Sequence, residues 1–298
     1  MSGVPTADQL FDAELLEQIA HLRVIARRVA PGGRFAEQRS RDRGTGIEFE
    51  DHRPYSAGDD LRTVDWHLYQ RFGTLFLRLF EEQQDLPLYL LPDVSKSAFH
   101  EDPPRALASL RCALALAAVG LNQHDAVGVF PFSDDLKVQV RPQSGRNRVM
   151  HFAKRLAEVE PGGGTDFARC VKRFGSLGLR EGLVIVISDF FDPGGIEAIT
   201  SSLKKLRHRL LLVQLSRSTD REPDLLGDLR LEDCESGTVE DVSVTPQVLD
   251  RYRAAYDRWN DGLHQFTRSR GAGLLRVDVD QPVLPQLAAL FEGGRYSA

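Results

Sequence analysis

An apolar stretch of the sequence ends abruptly in three oxygen-bearing side chains. Residues 86–91 are almost wholly apolar, and Asp93, Ser95 and Ser97 follow them in the pattern D-x-S-x-S. Carboxylate and hydroxyl oxygens suit a hard cation such as Mg²⁺, which binds few protein groups directly and keeps several waters. The same residue types also end strands and cap helices, so both interpretations stay open for this motif alone.

Two more polar residues stand beside predicted elements further along the chain. Thr165 follows the glycine run 162–164 and precedes a predicted helix, and Asp189 comes soon after Leu183–Ile187, the most strand-like run. The glycines permit close backbone approach, but they form no phosphate-binding loop, because the G-x-x-x-x-G-K-[ST] pattern is missing. Taken singly, Thr165 is interpreted as a helix N-cap and Asp189 as an Asx-turn residue.

The order of the elements predicts the fold. From residue 86 onward, strand-like runs alternate with helical patterns, which favours an α/β domain with a doubly wound, mostly parallel sheet. The connection at residues 133–135 is too short to join parallel strands, so we expect one antiparallel edge strand. In such sheets, ligands bind where loops leave the carboxyl ends of strands. The loops are therefore expected to bring five residues together around Mg²⁺ or Mn²⁺: Asp93, Ser95, Ser97, Thr165 and Asp189.

Hydrophobic periodicity and capping residues predict the individual elements. A helix with Asp102 as N-cap and Pro103 in its first turn is apolar on nearly all sides, so we expect it to be buried on both. Thr245 and Pro246 begin the last long helix, whose aromatic stripe is predicted to be core. The predicted helices cover residues 10–30, 61–72, 103–121, 149–156, 167–174, 195–207, 246–270 and 284–290, and the other predicted strands cover residues 47–49, 74–81, 126–132, 136–140, 210–215, 229–234, 239–244 and 274–279.

These elements divide the chain into three regions. The N-terminal region is predicted to be a helix followed by an arginine-rich linker. The next is a small β-containing subdomain, and the last is the α/β domain with a hairpin insertion at about 217–244. In order, the predicted regions are residues 1–43, 44–85 and 86–298.

Two charged segments each have more than one interpretation. Seven arginines fall between Arg23 and Arg43, and they form either a docking patch for an acidic partner or lipid, or a solvated surface. The charges between His52 and His67 are either acid–base groups or buried ions that pair with one another. The structural interpretation is the simpler one in both segments.

Composition argues against several classes of protein. The 298 residues are 42% hydrophobic and 27% charged, as in an ordinary globular protein. The formal net charge of −5 gives the chain as a whole no electrostatic basis for binding nucleic acid. Its three cysteines form no C-x-x-C pair and indicate a reducing compartment. No apolar run approaches the roughly 18 residues of a membrane span and no signal-peptide core is seen, so the expected location is cytoplasmic.

The predicted site residues also match a known motif. In order and spacing, the five oxygen-bearing residues resemble the metal-ion-dependent adhesion site, or MIDAS, of von Willebrand factor type A domains. The stretch Glu48–Trp66, which reads E-F-x-D-x-R-x-Y-x-x-G-D-D-x-R-x-x-D-W, resembles the signature of domain of unknown function 58. That is a bacterial and archaeal family that carries such a domain. The resemblance is clearest over residues 44–216.

This resemblance implies a ligand set and a role. Ser95, Ser97 and Thr165 would contact the metal directly, and Asp93 and Asp189 would contact it directly or through water. The sixth position would be filled by a carboxylate from a protein partner, or by water. The implied function is that of a non-enzymatic adaptor that works with a MoxR-type AAA+ ATPase in the assembly or activation of protein complexes.

Other functions remain as alternatives. The first is a metal-dependent hydrolase or phosphatase with Asp93 as nucleophile, although Ser95 stands where haloacid-dehalogenase-like enzymes have a second aspartate. No G-x-S-x-G or H-E-x-x-H motif is present. A nucleic-acid role for the arginine segment would predict binding that falls steeply with salt. Lys96, beside the site, is expected either to weaken cation binding or to pair with Asp189.

Overall fold

In a computed structural model of the chain, the described residues are 11–12, 15–22, 48–56, 59–60, 64–81 and 87–292, without the side chains of 48–53, 78–81 and 292. The chain divides into two compact units, Arg34–Asp85 and the combination of Met1–Gly33 with Leu86–Ala298. The predicted N-terminal helix is present over residues 15–22, where Leu15, Ile19 and Leu22 are buried. The arginine segment between Arg23 and Arg43 lies wholly outside the described residues.

The smaller unit contains an antiparallel strand pair. Strand β1 (Glu48–Pro54) pairs with β2 (Phe76–Glu81), and helix α1 (Trp66–Phe72) lies between them in the sequence. The helix begins later than predicted, because Val64 forms an isolated bridge to β2. Asp65 then caps α1 by accepting hydrogen bonds from two of its first amides.

The larger unit contains a six-stranded sheet. The strands of this unit are β3 (Leu88–Pro92), β4 (Val127–Val129), β5 (Val140–Gln143), β6 (Leu183–Ser188), β7 (Arg209–Ser216), β8 (Gly227–Glu232), β9 (Val239–Val244) and β10 (Gly273–Asp278). In the sheet they occur in the order β10-β7-β6-β3-β4-β5, all parallel except β5, which pairs antiparallel with β4 at one edge. The predicted mostly parallel sheet with an antiparallel edge strand is therefore confirmed. Strands β8 and β9 form a separate antiparallel hairpin within the predicted insertion.

The edge strand lies further along the chain than predicted. Residues 136–140 were expected to pair, but Phe132 and Leu136 form only an isolated bridge, and β5 begins at Val140. Gln139 instead bonds through its backbone N–H to the carbonyl of Val129, so the connection is longer than the three residues that the polar run suggested. It remains short enough to require an antiparallel pair.

Helices cover both faces of the sheet. The helices of this unit are α2 (Lys96–His100), α3 (Arg105–Asn122), α4 (Val149–Ala157), α5 (Phe167–Gly175), α6 (Gly195–Lys204), α7 (Ser218–Arg221), α8 (Pro246–Arg270) and α9 (Val283–Glu292). On one face, α5, α6 and α8 contribute to a core that includes Tyr89 and Val184. Because strand side chains alternate, Leu88 and Leu90 point to the opposite face, where α3 packs against four strands.

Helix α3 is the central helix of the core. Fifteen of its 18 residues are buried, as its uniformly apolar sequence predicted. Its predicted start is wrong: the N-cap is Pro104 rather than Asp102, because Pro104 has extended backbone angles and the helix begins at Arg105. Among the described residues, α3 alone is long and apolar enough to cross a membrane, and 83% of that stretch is buried inside the structure.

Helix α8 begins and ends as predicted, but only part of its aromatic stripe is core. Thr245 accepts a hydrogen bond from the Val248 amide, and Gly271 ends the helix with left-handed backbone angles. Phe266, in the C-terminal half, is buried, whereas Tyr252 is 42% exposed. The N-terminal half lies beside α7, which the sequence did not predict, rather than on the sheet.

The stability of the larger unit is expected to depend on His208. Its ring lies edge-on to Tyr89 with centroids 5.3 Å apart, and its Nδ1 has no hydrogen-bond partner among the described residues. Burial lowers the pKa of His208 below 6.5, so the unfolded state binds a proton that the native state rejects. Stability should therefore fall as the pH drops below about 6.5, until the native pKa is passed. The free energy of unfolding, measured in urea from about pH 8 to pH 5, should fall less in His208→Phe than in the wild type. The control His151→Gln, which changes an exposed side chain, should show the same fall as the wild type.

Candidate metal centre

The two strands that precede the predicted ligands are neighbours in the sheet. Strands β3 and β6 pair in parallel, so their carboxyl ends reach the same edge. The Asp93 amide donates a hydrogen bond of 2.8 Å to the carbonyl of Ile187, and the Val94 amide bonds to the carbonyl of Phe132 at 2.9 Å. These backbone contacts fix the D-x-S-x-S loop directly above β6 and beside the end of β4.

Asp93 is held in one orientation by hydrogen bonds to both of its oxygens. Oδ1 accepts from the Ser95 amide at 2.9 Å, and Oδ2 accepts from the Ser188 hydroxyl at 2.6 Å. The side chain is 4% exposed, and burial raises the pKa of Asp93 despite these hydrogen bonds, with the charge of Glu235 adding to the effect. Sequence analysis missed Ser188, although its position at the end of β6 was a visible signal.

The glycine run brings Thr165 to the same place. The Gly162 amide donates to the carbonyl of Val94 at 2.8 Å, and the Lys96 amide donates to the carbonyl of Gly163 at 2.9 Å. The N-cap of α5 is Asp166, which accepts a hydrogen bond from the Arg169 amide, so the interpretation of Thr165 as the cap is wrong. The Thr165 hydroxyl is therefore available to the site.

Three hydroxyls from two loops lie together, and two of them donate to one carboxylate. The Ser95 and Ser97 hydroxyl oxygens lie 3.1 Å apart, and Ser97 Oγ donates to Glu235 Oε1 at 2.7 Å. Thr165 Oγ1 donates to the same oxygen at 3.2 Å, and the Thr165 amide donates to Oε2 at 3.0 Å. We call Ser95, Ser97 and Thr165 the hydroxyl cluster. Glu235 was missed by sequence analysis, since it lies 138 residues from Ser97 in a hairpin turn that shows no local signal.

Asp189 lies at the end of β6 but belongs to a different set of contacts. Its Oδ1 accepts from the Phe191 amide at 2.9 Å, so the predicted Asx-turn is present. Its Oδ2 is 3.3 Å from Arg105 Nη1, so the ion pair of Asp189 is with Arg105 and not with Lys96. Among the described residues, no hydrogen bond joins Asp189 to the hydroxyl cluster or to Asp93. Burial and the charge of Asp93 raise the pKa of Asp189 to about 7, and Arg105 opposes that rise.

Arg105 shares its charge among three acids. Its guanidinium contacts Glu101 and Asp220 at 2.8 Å as well as Asp189, and its side chain is only 4% exposed. Arg105 therefore divides its charge among three carboxylates, of which Glu101 also pairs with Arg217 at 3.5 Å, and it neutralises Asp189 only in part. No sequence pattern marked Arg105, because its partners lie 4, 84 and 115 residues away.

The donor set fits a hard divalent cation. Its oxygens come from hydroxyls and carboxylates. The charge of Glu235 adds to the rise in the pKa of Asp93, and the charge of Asp93 adds to the rise in the pKa of Asp189. Such mutual repulsion favours a positive ion nearby. Within the part of the chain that the structure describes, no group of three or more His, Cys, Asp or Glu side chains is placed to hold a metal. A cation here would therefore depend on the hydroxyl oxygens.

The larger unit is thus an α/β domain with a cluster of oxygen-bearing side chains in the loops at the carboxyl edge of its sheet. The model of the family described as protein of unknown function DUF58 matches residues 51–261, and the chain belongs to this family. The predicted resemblance to that family is confirmed.

Its relatives are bacterial. The uncharacterized protein Rv1480 of Mycobacterium tuberculosis is 25% identical over 264 residues, which cover 86% of this chain and 82% of the relative. The uncharacterized protein MAV169 of Mycobacterium avium is 24% identical over 119 residues, 40% of this chain and 70% of that protein. Among solved structures, the conserved hypothetical protein BatB from Bacteroides thetaiotaomicron aligns with 71% of this chain and 100% of its own, with 16% identity and a TM-score of 0.41.

Proposed function

We propose that the larger unit is a von Willebrand factor A-like domain that binds an acidic residue of a protein partner through Mg²⁺ or Mn²⁺. The protein would be a non-enzymatic adaptor, cytoplasmic, with a MoxR-type AAA+ ATPase as its partner in the assembly or activation of protein complexes. The location and the ATPase come from the sequence and family resemblance described above. The metal-dependent binding of an acid is supported by the site itself.

The observation that supports this function most directly is the capture of a carboxylate by the hydroxyl cluster. Ser97 and Thr165 both donate to one oxygen of Glu235, and the Thr165 amide holds the other. The loops therefore form a binding site that accommodates a carboxylate. A divalent cation held in this binding site would supply the positive charge to which a carboxylate oxygen binds.

The residues divide naturally between holding the cation and orienting its ligands. Ser95, Ser97 and Thr165 would contact it directly. Asp93 and Asp189 would contact it directly or through water and would supply the negative charge. Ser188 orients Asp93 through a 2.6 Å hydrogen bond, and a group that orients a ligand contributes to metal affinity.

The alternative of a hydrolase with Asp93 as nucleophile has less support from the geometry. The Asp93 side chain is 4% exposed, and each of its oxygens already accepts a hydrogen bond. A nucleophilic carboxylate needs an oxygen directed at substrate with a base or acid in reach. Turnover of a generic phosphate or ester that is lost in Asp93→Asn would favour the hydrolase instead.

Titration calorimetry with Mg²⁺ and Mn²⁺ tests the proposal. We expect Asp93→Asn, which keeps the side-chain shape but removes the charge, to weaken cation binding by about 10–100-fold. The control Asp250→Asn removes an equal charge from a side chain that is 73% exposed, and it should bind as the wild type does. Equal affinities in all three proteins, or no binding at all, would contradict the metal site.

The same variants test the partner. A pull-down from cell extract should recover an AAA+ ATPase with wild-type protein and with Asp250→Asn. That ATPase should be lost with Asp93→Asn and on addition of EDTA. Equal recovery of the ATPase with and without EDTA would show that the interaction does not depend on a metal.

A further inference from the structure

The carboxylate in the hydroxyl cluster belongs to the chain itself. Glu235 lies in the turn between β8 and β9, and it accepts hydrogen bonds from Ser97 Oγ, Thr165 Oγ1 and the Thr165 amide. The proposed function places a carboxylate from a partner at the same hydroxyl cluster, on the cation that these hydroxyls would hold. The β8–β9 hairpin therefore places a carboxylate of the same molecule in this binding site.

The turn holds Glu235 in a fixed direction. The Asp233 carboxylate accepts hydrogen bonds from the Glu235 amide at 2.9 Å and from the Ser236 hydroxyl at 2.5 Å. The Gly237 amide donates to the Asp233 carbonyl at 2.7 Å, and Gly237 has a φ of +71°, which glycine adopts without strain. These hydrogen bonds fix the backbone of the turn and so restrict the positions that the Glu235 side chain can reach.

The facing loop is shaped to receive that carboxylate. A Cβ on Gly164 would lie 3.0 Å from Glu235 Oε2, so the carboxylate would have to shift by a few tenths of an ångström. Glycine at this position thus leaves room for Oε2 beside the Thr165 amide.

The remainder of the hairpin has few buried side chains. Of the twelve residues in β8 and β9, only Val244 is buried, and it lies at the end next to α8. Few buried side chains characterise segments that open locally at low free-energy cost. The hairpin can therefore release Glu235 without unfolding the sheet.

We propose that Glu235 is an internal ligand of the site, which occupies the position of the partner's carboxylate until the hairpin is displaced. This inference rests on the proposed function and adds a regulatory step to it. A partner acid must compete with Glu235, so binding requires both the cation and release of the β8–β9 turn.

Backbone hydrogen exchange tests the contact without any metal. In EDTA, Glu235→Ala is expected to accelerate exchange of the Thr165 amide by about tenfold to a hundredfold, as expected for loss of one hydrogen bond to a charged group. Glu240→Ala removes an equal charge from an exposed position on the same hairpin and should leave the exchange rate unchanged. Equal rates in all three proteins would overturn the proposal.

Water relaxation with bound Mn²⁺ tests the position of the carboxylate. We expect the Mn²⁺ in Glu235→Ala to carry one more coordinated water than in the wild type, and added acetate should displace that water. Glu235→Asp keeps the charge but shortens the side chain, so it should resemble Glu235→Ala if ligation matters and the wild type if charge alone matters. Unchanged hydration in Glu235→Ala, or wild-type behaviour of Glu235→Asp, would overturn the internal ligand.

The two experiments separate this inference from the proposed function. If the wild type binds no Mn²⁺, the metal-dependent function fails, and exchange of the Thr165 amide still decides whether Glu235 occupies the hydroxyl cluster. If Mn²⁺ binds but Thr165 and the hydration are insensitive to Glu235, the internal ligand fails while the metal site stands.

Discussion

Arg105→Met is expected to lower the free energy of unfolding of the larger unit by about 3–5 kcal/mol at neutral pH. The Arg105 side chain is 4% exposed and contacts Glu101, Asp189 and Asp220. Without the guanidinium, the Asp189 and Asp220 carboxylates, whose side chains are 20% and 13% exposed, lose their cationic partner, and an uncompensated buried charge is strongly destabilising. For a unit of this size, the loss corresponds to a fall in Tm of roughly 6–20 °C.

The loss should also depend on pH. The pKa of Asp189 is already raised to about 7 by burial and by the charge of Asp93, and removal of Arg105 would raise it further. A native pKa above the unfolded value of 3.8 means that the native state holds a proton that the unfolded state releases. Stability therefore falls as the pH rises through that window. We expect the deficit of Arg105→Met, measured by urea unfolding in EDTA, to shrink as the pH falls from about 8 to 5.

Two other variants serve as controls. Arg221 makes a two-pronged ion pair with Asp257, but both side chains are about half exposed, so Arg221→Met should show no measurable loss. Arg105→Lys keeps the charge but cannot reach three acids at once, so its stability should lie between the wild type and Arg105→Met. Equal stabilities of Arg105→Met and Arg221→Met would contradict a structural role for the buried ion pairs.

The sequence predicted those parts of the molecule that depend on local pattern. The fully apolar run Leu183–Ile187 identified the central strand. The helical spacing of Phe167, Cys170, Val171 and Phe174 identified α5 as a helix that packs on the sheet. The positions of Asp93 and Asp189 followed from the rule that parallel strands end at one edge. In these cases, the residues that decide the structure are neighbours in the sequence, so periodicity and end signals were enough.

Prediction failed where contacts between distant segments decide the structure. Glu235 contacts Ser97 and Thr165, which lie 138 and 70 residues away, and neither Glu235 nor Arg105 stands in a local motif. Two of the three acids that Arg105 contacts lie 84 and 115 residues away. Tyr252 fits the helical stripe of α8 and is nevertheless 42% exposed, since half of that helix lies beyond the sheet. The two strands of the hairpin, 229–234 and 239–244, were predicted, but the direction in which the turn between them points depends on how the whole hairpin packs.

The position of the glycine run 162–164 depends both on local sequence and on contacts with a distant loop, and a substitution there is expected to have a large effect. The sequence indicated close backbone approach there, and the structure shows what is approached. A Cβ on Gly162 would lie 2.0 Å from Ser133 Oγ and 2.2 Å from Ser133 Cβ, and 3.3 Å from the Val94 carbonyl. Rotation of the serine side chain cannot relieve a collision with its Cβ, so one of the two backbones must move.

Gly162→Ala is therefore expected to displace the loop that carries Thr165. Ser133 is 2% exposed and its backbone carbonyl accepts from the Asp166 amide, so the Ser133 loop is the less free to move. Overpacking of this kind costs about 1–3 kcal/mol. Mn²⁺ titration should show affinity reduced by about tenfold or more, and the Thr165 amide should exchange faster because its bond to Glu235 is lost.

A second substitution shows whether the collision is the cause. Ser133→Gly removes both atoms that meet the new methyl group, so the double variant Gly162→Ala with Ser133→Gly should regain most of the lost affinity and protection at Thr165. The double-mutant cycle should give a coupling energy of about 1–3 kcal/mol, as expected for residues in contact. If the two substitutions were additive, the loss would come from the flexibility of glycine rather than from the space that it leaves for Ser133. The close fit between these two loops would then have no part in positioning Thr165.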